Sequence, residues 1–289
     1  MTHSTTETGL GRFVGDWHPE PVDEHDELAA SQATRLAATL ELRDTFGAGD
    51  ALPIPWHWVY FPDWPKGSEL GVDGHPRDGH FLPPIPNRRR MFAGSRIEVH
   101  KPLRVGRPAT KRARLARVQE KTGRSGEMLF VTIRSEYRQD DALCVVEEQN
   151  LVYRSDTGSA TAFARNPEQL PESGAPWHAD LQPDEALLFR FSALTSNAHR
   201  IHYDHPYVTG VEGYPGLVVH GPLLAVYMAE LARSNGKVLS NFEFRLQSPA
   251  ILGDPLRVEG TPASNAGTVE LAVVSGGGRV HASATGQFA

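Results

Sequence analysis

Ser95-Arg-Ile-Glu-Val-His-Lys-Pro102-Leu-Arg-Val-Gly106-Arg-Pro108 and Asn241-Phe-Glu-Phe-Arg-Leu-Gln-Ser-Pro249-Ala-Ile-Leu-Gly253-Asp-Pro255 share one punctuation, Pro-x-x-x-Gly-x-Pro. In each, an alternating polar and apolar run precedes the first proline. Alternation of that kind is the signature of a half-buried strand. Proline at a strand end and glycine at the following turn sit where the backbone tolerates them. Further strand-like runs follow both copies: Glu127–Tyr137 and Ala142–Tyr153 after the first, Thr268–Val274 and Arg279–Gly286 after the second. Duplication of one supersecondary unit is the natural reading.

Outward from these runs, two segments carry helix signals. Asp26–Leu40 is rich in helix formers behind an acidic start, which suits the helix dipole. Pro222–Gly236 has proline in its first turn and glycine at its end, with positions 223, 224, 227, 228 and 231 forming one expected buried stripe. Each half therefore reads as one long helix with several antiparallel strands, an α+β unit. A polar stretch rich in Pro, Gly, Ala and Asp, Ser155–Asp184, separates the copies as an expected linker. That gives an N-terminal unit of 1–154, a linker of 155–184 and a C-terminal unit of 185–289. The aromatic stretch Pro55–Trp64 and the loop Gly71–Pro86 belong to neither copy and read as a lid or a packing insertion.

The bulk composition is that of a water-soluble globular chain: 289 residues, 39% hydrophobic and 22% charged. No apolar run approaches the ~20 residues of a membrane span. Met1–Glu7 lacks the basic start and apolar core of a secretory signal, so a cytoplasmic location is expected. Cys144 is the single cysteine, which excludes an intrachain disulfide and a Cys-based zinc site. No metal is expected. The net charge of −6 hides an asymmetry, because Arg88–Arg117 holds eleven Lys or Arg against one acid, Glu98. Such a stripe reads either as a local polyanion site or as a solvated strand face. Nucleic acid is disfavoured, since stacking aromatics are nearly absent there.

Chemistry concentrates further on. Phe191-Ser-Ala-Leu-Thr-Ser-Asn197-Ala-His199-Arg200-Ile-His202-Tyr-Asp204 gathers an amide, imidazoles, a guanidinium and a carboxylate. Tyr214-Pro-Gly-Leu-Val-Val-His220-Gly221-Pro222 is an apolar run that breaks at glycine and opens a helix. Together they offer a proton-transfer group and a helix N-terminus with free N–H donors, as chemistry beside a carbonyl requires.

These motifs resemble the double hot-dog members of the MaoC-like hydratase/dehydratase superfamily, whose motif runs roughly S-G-D-x-N-P-x-H-x-D. Anchored on His202-Tyr-Asp204, the motif's catalytic Asp falls on Asn197, and its Asn-Pro falls on His199-Arg200. With Glu212–Pro222 and Pro83-Pro-Ile-Pro-Asn-Arg-Arg-Arg-Met-Phe-Ala-Gly94, the chain is similar to one branch. That branch holds the mesaconyl- and itaconyl-CoA hydratases and the type 2 hydroxyacyl-thioester dehydratases. The resemblance implies two curved antiparallel sheets, each wrapped around a long helix. It also implies reversible addition of water across the α,β double bond of an acyl thioester, a hydro-lyase needing no cofactor beyond the coenzyme A of its substrate.

The roles implied are these. His202 is the general base and acid, with an ordinary pKa suited to neutral pH. It takes a proton from the water that attacks the β-carbon and returns one to the α-carbon. Asn197, which cannot take a proton, orients that water or the imidazole. The Gly221 N–H meets the thioester oxygen; Pro222 has no N–H, and one such donor is typically worth ~3 kcal/mol in a transition state. A plain strand-to-helix turn is the competing reading for Gly221. His199 reads as support or packing, Asp204 as a partner of His202 or a cap of the next turn, and His220 as a buried neighbour of the Gly221 turn. Arg88, Arg89, Arg90 and Arg96 would meet the phosphates of coenzyme A. Arg200 is an alternative partner for a free carboxylate on a dicarboxylyl substrate. A short branched dicarboxylyl-CoA leads as substrate. A plain-chain 3-hydroxyacyl thioester on CoA or acyl carrier protein is the runner-up, and a non-catalytic acyl-CoA-binding protein is the reading from another class. A homo-oligomer stays open, because two hot-dog units in one chain already mimic a dimer.

Overall fold

The computed structural model describes residues 9–123, 126–155, 163–264 and 267–289. The reading of Met1–Glu7 and part of the 155–184 linker lie outside them. Ten strands form one antiparallel sheet among the described residues. In chain order they are β1 (Val22–Asp26), β2 (Arg88–Val99), β3 (Ala109–Gly123), β4 (Gly126–Gln139), β5 (Ala142–Ser155), β6 (Trp177–Leu181), β7 (Leu239–Leu246), β8 (Leu256–Pro262), β9 (Thr268–Ser275) and β10 (Arg279–Phe288). The spatial order is β1-β3-β4-β5-β2-β7-β10-β9-β8-β6.

That order runs the same way outward from the centre in both halves. β2 and β7 are the two strands of the repeated punctuation, and they pair with each other, Ile97 opposite Phe242 and Ser95 opposite Phe244. Gly106 and Gly253, the repeated turn glycines, both hold left-handed backbone, at φ 71° and 84°, a conformation open to glycine without Cβ strain. The strand run expected before Pro102 proves longer, starting at Arg88, with a register shift between Phe92 and Gly94.

The helices differ between halves. α1 (Ala30–Thr39) is shorter than the expected Asp26–Leu40. Asp26 instead ends β1, and its carboxylate accepts from the Leu28 and Phe61 N–H groups at 2.8 and 2.9 Å. α2 (Glu185–Leu194) is capped by Asp184, and α3 (His205–Gly210) by Asp204. α4 (Gly221–Ser234) packs across β7 to β10. It buries Ala225, Val226, Ala229 and Ala232 besides its expected stripe, while Tyr227 stays partly exposed. A helix apolar around most of its girth is a core helix rather than an amphipathic one. α1 packs instead on α2 and on the turn Trp56–Val59. The linker is not wholly irregular, since β6 within it closes the sheet edge beside β8.

The aromatic stretch turns out to be packing. Trp56, Val59, Tyr60 and Phe61 are buried, and Trp56 Nε1 donates to Glu230 on α4 at 2.8 Å. Its neighbours seize a buried carboxylate on β5. Glu147 lies against His57 Nε2 at 2.9 Å and accepts from Trp58 Nε1 at 2.9 Å, Ser95 Oγ at 2.8 Å, Gln149 Nε2 at 3.1 Å and Tyr137 OH at 3.3 Å. Burial pushes the Glu147 carboxyl up, but the His57 charge and these donors outweigh it and hold the group below its ordinary value.

The basic stripe divides. On β3, Lys111 and Arg112 pair with Glu24 and Asp23 of β1, and Arg107 pairs with Asp140. Those three cations are neutralised by carboxylates of the described residues. Arg88–Arg90, at its beginning, line a pocket together with Asp73 and His75, and Arg117 lines a separate one beside Trp17 and His18.

Candidate active site

Four imidazoles form a line from the start of α4 to the Gly71–Pro86 loop. His220 ends the apolar run before Gly221. Its ring stacks on His202 with centroids 3.6 Å apart and planes 18° from parallel. His202 meets His199 edge-on at 5.6 Å, and His199 lies 4.1 Å from His75. His202 and His220 are buried, at 6% and 0% exposure.

His75, His202 and His220 each have a hydrogen-bond partner of their own, while the His199 ring packs between His75 and His202. His202 Nδ1 lies 2.7 Å from the Val218 carbonyl oxygen. A carbonyl only accepts, so Nδ1 carries the proton and Nε2 keeps its lone pair. Burial lowers the His202 pKa to about 3, against the favourable Val218 bond and with repulsion from His199 and His75. The ring is therefore neutral and able to accept a proton. His199 is also lowered to about 3, by burial and then by the His75 charge. His220 is pushed well down by burial. Its Nε2 lies 2.8 Å from Ser192 Oγ, and its Nδ1 has no hydrogen-bond partner among the described residues.

Gly221 opens α4 at N1, where the N–H has no partner within the helix. A Cβ there would fall 2.2 Å from Leu246 Cδ1. Close packing against the Leu246 side chain of β7 thus also favours glycine, beside any need for a carbonyl to approach. Asn197 Oδ1 accepts from the His199 N–H at 3.1 Å, and the Asn197 N–H bonds the Ser192 carbonyl at 2.9 Å. Asn197 is thus linked to His199, whose ring meets His202 edge-on.

Two sequence alternatives resolve toward structure. Asp204 does not hold His202; it caps α3 through the Tyr207 N–H at 3.1 Å and binds Arg200 at 2.7 and 2.9 Å. Arg200 is engaged by that carboxylate, by the Val72 carbonyl at 2.9 Å and by the Tyr207 ring, with its guanidinium carbon 4.0 Å from the centroid.

A pocket of about 530 Å³ lies at the His75 end of the line. Asp73, His75 and Arg88–Arg90 line it from one half, and Tyr207 and Glu212 from the other. Arg88 is tied to the Pro83 carbonyl at 3.0 Å and to that of Arg77. Arg89 binds Glu212 at 2.6 Å. The Arg90 guanidinium makes no hydrogen bond or ion pair with a described residue, and its charge is felt at His199. Arg96 is exposed on β2 and outside the pocket.

Asp73 and His75 are residues that the sequence reading missed, since Asp73-Gly-His75 sat unremarked in a loop read as a lid or insertion. The loop is in fact clamped on the motif. The Arg200 N–H bonds the Asp73 carbonyl at 2.8 Å, and a Cβ at Gly74 would fall 1.8 Å from the Ala198 carbonyl oxygen. Asp73 Oδ2 lies 3.0 Å from His75 Nδ1, and Asp73 Oδ1 accepts the His75 N–H at 3.0 Å. Burial raises the Asp73 carboxyl, but the His75 bonds and charge and the His199 charge outweigh it and hold it at about 2. Asp73, His75 and His199 also place one ligand atom each within 4.8 Å of one another. Within that set, Asp73 and His75 are already hydrogen-bonded to each other through Oδ2 and Nδ1.

Residues 55–252 match the family model described as hydroxyacyl-thioester dehydratase type 2. This chain belongs to that family. It is 45% identical over 262 residues to the mesaconyl-C(4)-CoA hydratase of Chloroflexus aurantiacus, covering 90% of this chain and 92% of that protein. It is 30% identical over 234 residues to the mitochondrial hydroxyacyl-thioester dehydratase type 2 of Schizosaccharomyces pombe, covering 70% and 75%. Among solved structures, HtdX of Mycobacterium tuberculosis aligns over 93% of this chain and 100% of its own, with TM-score 0.62 at 17% identity. A MaoC-like dehydratase from Phytophthora capsici aligns over 98% and 99%, with TM-score 0.63 at 12% identity. These two likenesses bear on the fold and place it among the MaoC-like, hot-dog-type architectures.

Proposed function

We propose that this dehydratase-family chain reversibly hydrates the α,β double bond of an acyl-CoA thioester. The observation that carries the reading is His202. It is a neutral imidazole with Nδ1 tied to Val218, which leaves Nε2 as the nitrogen with the lone pair, stacked on the residue that precedes the Gly221 N–H. His202 Nε2 takes a proton from water as the oxygen bonds the β-carbon. Electron density moves to the thioester oxygen, where the Gly221 N–H and the α4 dipole stabilise it. Protonation at the α-carbon completes the addition. Asn197 holds the His199 backbone, and through it the edge of the His202 ring.

A short branched dicarboxylyl group of the mesaconyl or itaconyl type is the acyl part we favour over a plain chain. The pocket that His75 lines also presents Arg90, whose guanidinium makes no hydrogen bond or ion pair with a described residue, and a carboxylate fills such a fork well. The 45% identity to a mesaconyl-C(4)-CoA hydratase supports the same choice. Arg88 and Arg89 then flank the thioester's passage toward its phosphates. We read the architecture as two hot-dog units, 1–154 and 185–289, joined by 155–184, with α4 as the central helix of the second. No helix among the described residues is long and apolar enough to cross a membrane; a cytoplasmic location is part of this reading.

A panel of enoyl-CoAs, followed by loss of the conjugated thioester's absorbance, tests the function. Turnover fastest with mesaconyl- or itaconyl-type thioesters supports it. Turnover confined to plain-chain thioesters selects the dehydratase reading of fatty-acyl type, and tight binding without turnover selects a binding protein.

A further inference from the structure

Asn197 stands where simpler hydratases keep a carboxylate, and an amide carries no proton. The line of imidazoles supplies a second proton-transfer group from elsewhere in the chain. We propose that His75, oriented by Asp73, delivers the proton to the α-carbon, so that the Gly71–Pro86 loop is part of the catalytic machinery. The inference rests on the hydration reading above and assigns the half of the reaction that His202 leaves open.

Three observations carry it. The first is the pair itself. Both oxygens of Asp73 are used on His75, one at the ring Nδ1 and one at the backbone N–H, each at 3.0 Å. That fixes the ring and leaves Nε2 as its exchanging atom. A nucleophile or base oriented by a third group is a recurring catalytic arrangement. The second is place. His75 lines the pocket together with Arg90, whereas His202 is buried and is not among its lining residues. His75 is the imidazole of the line that opens on the space a substrate would enter. The third is rigidity that does not need the imidazole. The loop is already closed by the Gly71 N–H on the His75 carbonyl at 2.7 Å, by the Arg77 N–H on the Glu69 carbonyl at 2.8 Å and by the Arg200 N–H on the Asp73 carbonyl at 2.8 Å. The Arg200 guanidinium adds a bond to the Val72 carbonyl. A pair serving only to shape the loop would be redundant with these.

The step balances. A water O–H breaks, its proton going to His202 Nε2 and its oxygen bonding the β-carbon. The π pair moves to the thioester oxygen as an enolate. The enolate collapses, and the α-carbon takes the proton from His75 Nε2. His202 is left protonated and His75 neutral. The proton returns from one to the other across His199 or through water, and the net change is one water added.

Hydration of the enoyl-CoA that the parent uses best is measured for the parent and for His75→Ala, His75→Gln and Asp73→Asn. Both His75 variants are expected to lose about 10²-fold or more in kcat, the lower end for lost acid–base catalysis, with KM little changed. Gln retains a hydrogen bond to Asp73 and guards against a loop that misfolds in the Ala variant. Added imidazole is expected to restore part of the Ala variant's rate, which it would not do for a loop-shaping residue. Asp73→Asn, a positioning change, is expected to lower kcat less, again without moving KM. Either His75 variant turning over at the parent rate overturns the proposal. So does a loss confined to KM, or a folded Ala variant that imidazole does not rescue. Activity lost on dialysis against a chelator and recovered with a divalent ion would make Asp73, His75 and His199 a metal site instead. A parent that hydrates no enoyl-CoA overturns the functional reading itself, a result distinct from all of these.

Discussion

The rings of His202 and His220 lie face to face, 3.6 Å between centroids, so one short segment controls both ends of the chemistry. Val218 binds the Nδ1 of His202, His220 supports its face, and Gly221 follows with the helix N–H. The imidazole and the N–H that would meet the thioester oxygen are thus set relative to each other by four consecutive residues. This packing, not sequence proximity between residues 202 and 221, is what brings the proposed base and the proposed donor together.

His202→Ala should lower kcat by at least about 10²-fold, the usual minimum for a lost general base, with KM changed far less than kcat. Steady-state kinetics on the best enoyl-CoA decide it. An Ala variant as fast as the parent removes His202 from the mechanism.

Stability should fall as the solution is acidified below about pH 6.5. The sign follows from the shifts. His199 and His202 are lowered from 6.5 to about 3 in the folded chain, and the unfolded chain binds protons at the ordinary value. Between those limits the unfolded state holds more protons, so the stabilisation is complete above pH 6.5 and is lost as pH falls toward 3. Asp73, lowered from 3.8 to about 2, adds a further loss only below about pH 4. Urea midpoints measured from pH 7.5 to 4.5 should drop, and the His202→Gln variant should show a shallower drop. A flat midpoint in the parent would contradict the neutral, buried assignment.

Glu147→Gln should destabilise without touching the pocket. The carboxylate accepts from donors on every side, Trp58, Ser95, Gln149 and Tyr137, beside the His57 ring. An amide brings its own two donors into that shell and removes the charge. Breaking a buried charged pair in this way typically costs about 3–5 kcal/mol. Denaturant unfolding measures the loss; a change under 1 kcal/mol would mean the network is not the anchor of the aromatic turn.

How much of this was legible follows from the kind of signal each part leaves. Pro102-x-x-x-Gly106 and Pro249-x-x-x-Gly253 are local rules of backbone geometry, and they marked the repeat and its two central strands. His202, His220 and Gly221 were readable because they sit in contiguous motifs. Asp73 and His75 were not, since their meaning comes from docking a loop onto Ala198 and Arg200, more than a hundred residues away. The overlong helix at Asp26–Leu40 has a local cause: Asp26 found better acceptor work at Leu28 and Phe61 than at a helix start. The basic stripe left two readings open, a polyanion site or a solvated strand face, because the acids that pair with Lys111 and Arg112, Glu24 and Asp23, lie on a strand 87 and 89 residues earlier.

Arg90→Ala should separate the two substrate classes. If the guanidinium receives a carboxylate, its loss removes a charge-assisted bond worth about 1.5–3 kcal/mol, or ~10- to 100-fold in kcat/KM. That penalty should appear with a dicarboxylyl thioester and be small with a plain chain such as crotonyl-CoA. Arg90→Lys keeps the charge but not the two-pronged geometry, so it should recover only part. Equal losses on both substrates would move Arg90 to the coenzyme A end of the site.

Asn197 offers the sharpest test of how the base is tuned. Its Oδ1 holds the His199 N–H at 3.1 Å, a bond that aspartate keeps and alanine loses. Asn197→Asp should therefore fold and retain some activity, while introducing a carboxylate beside the line of imidazoles. A nearby negative charge favours the protonated ring and raises its pKa. The base would then lose its lone pair at a higher pH, and the acidic limb of the kcat/KM profile should move upward. Asn197→Ala adds no charge. It frees the His199 backbone, so the rate should fall with the limb roughly in place. Profiles of both variants between pH 4 and 8 decide the matter. An Asp variant with an unmoved limb, or an Ala variant as active as the parent, would show that residue 197 does not act on His202 through His199.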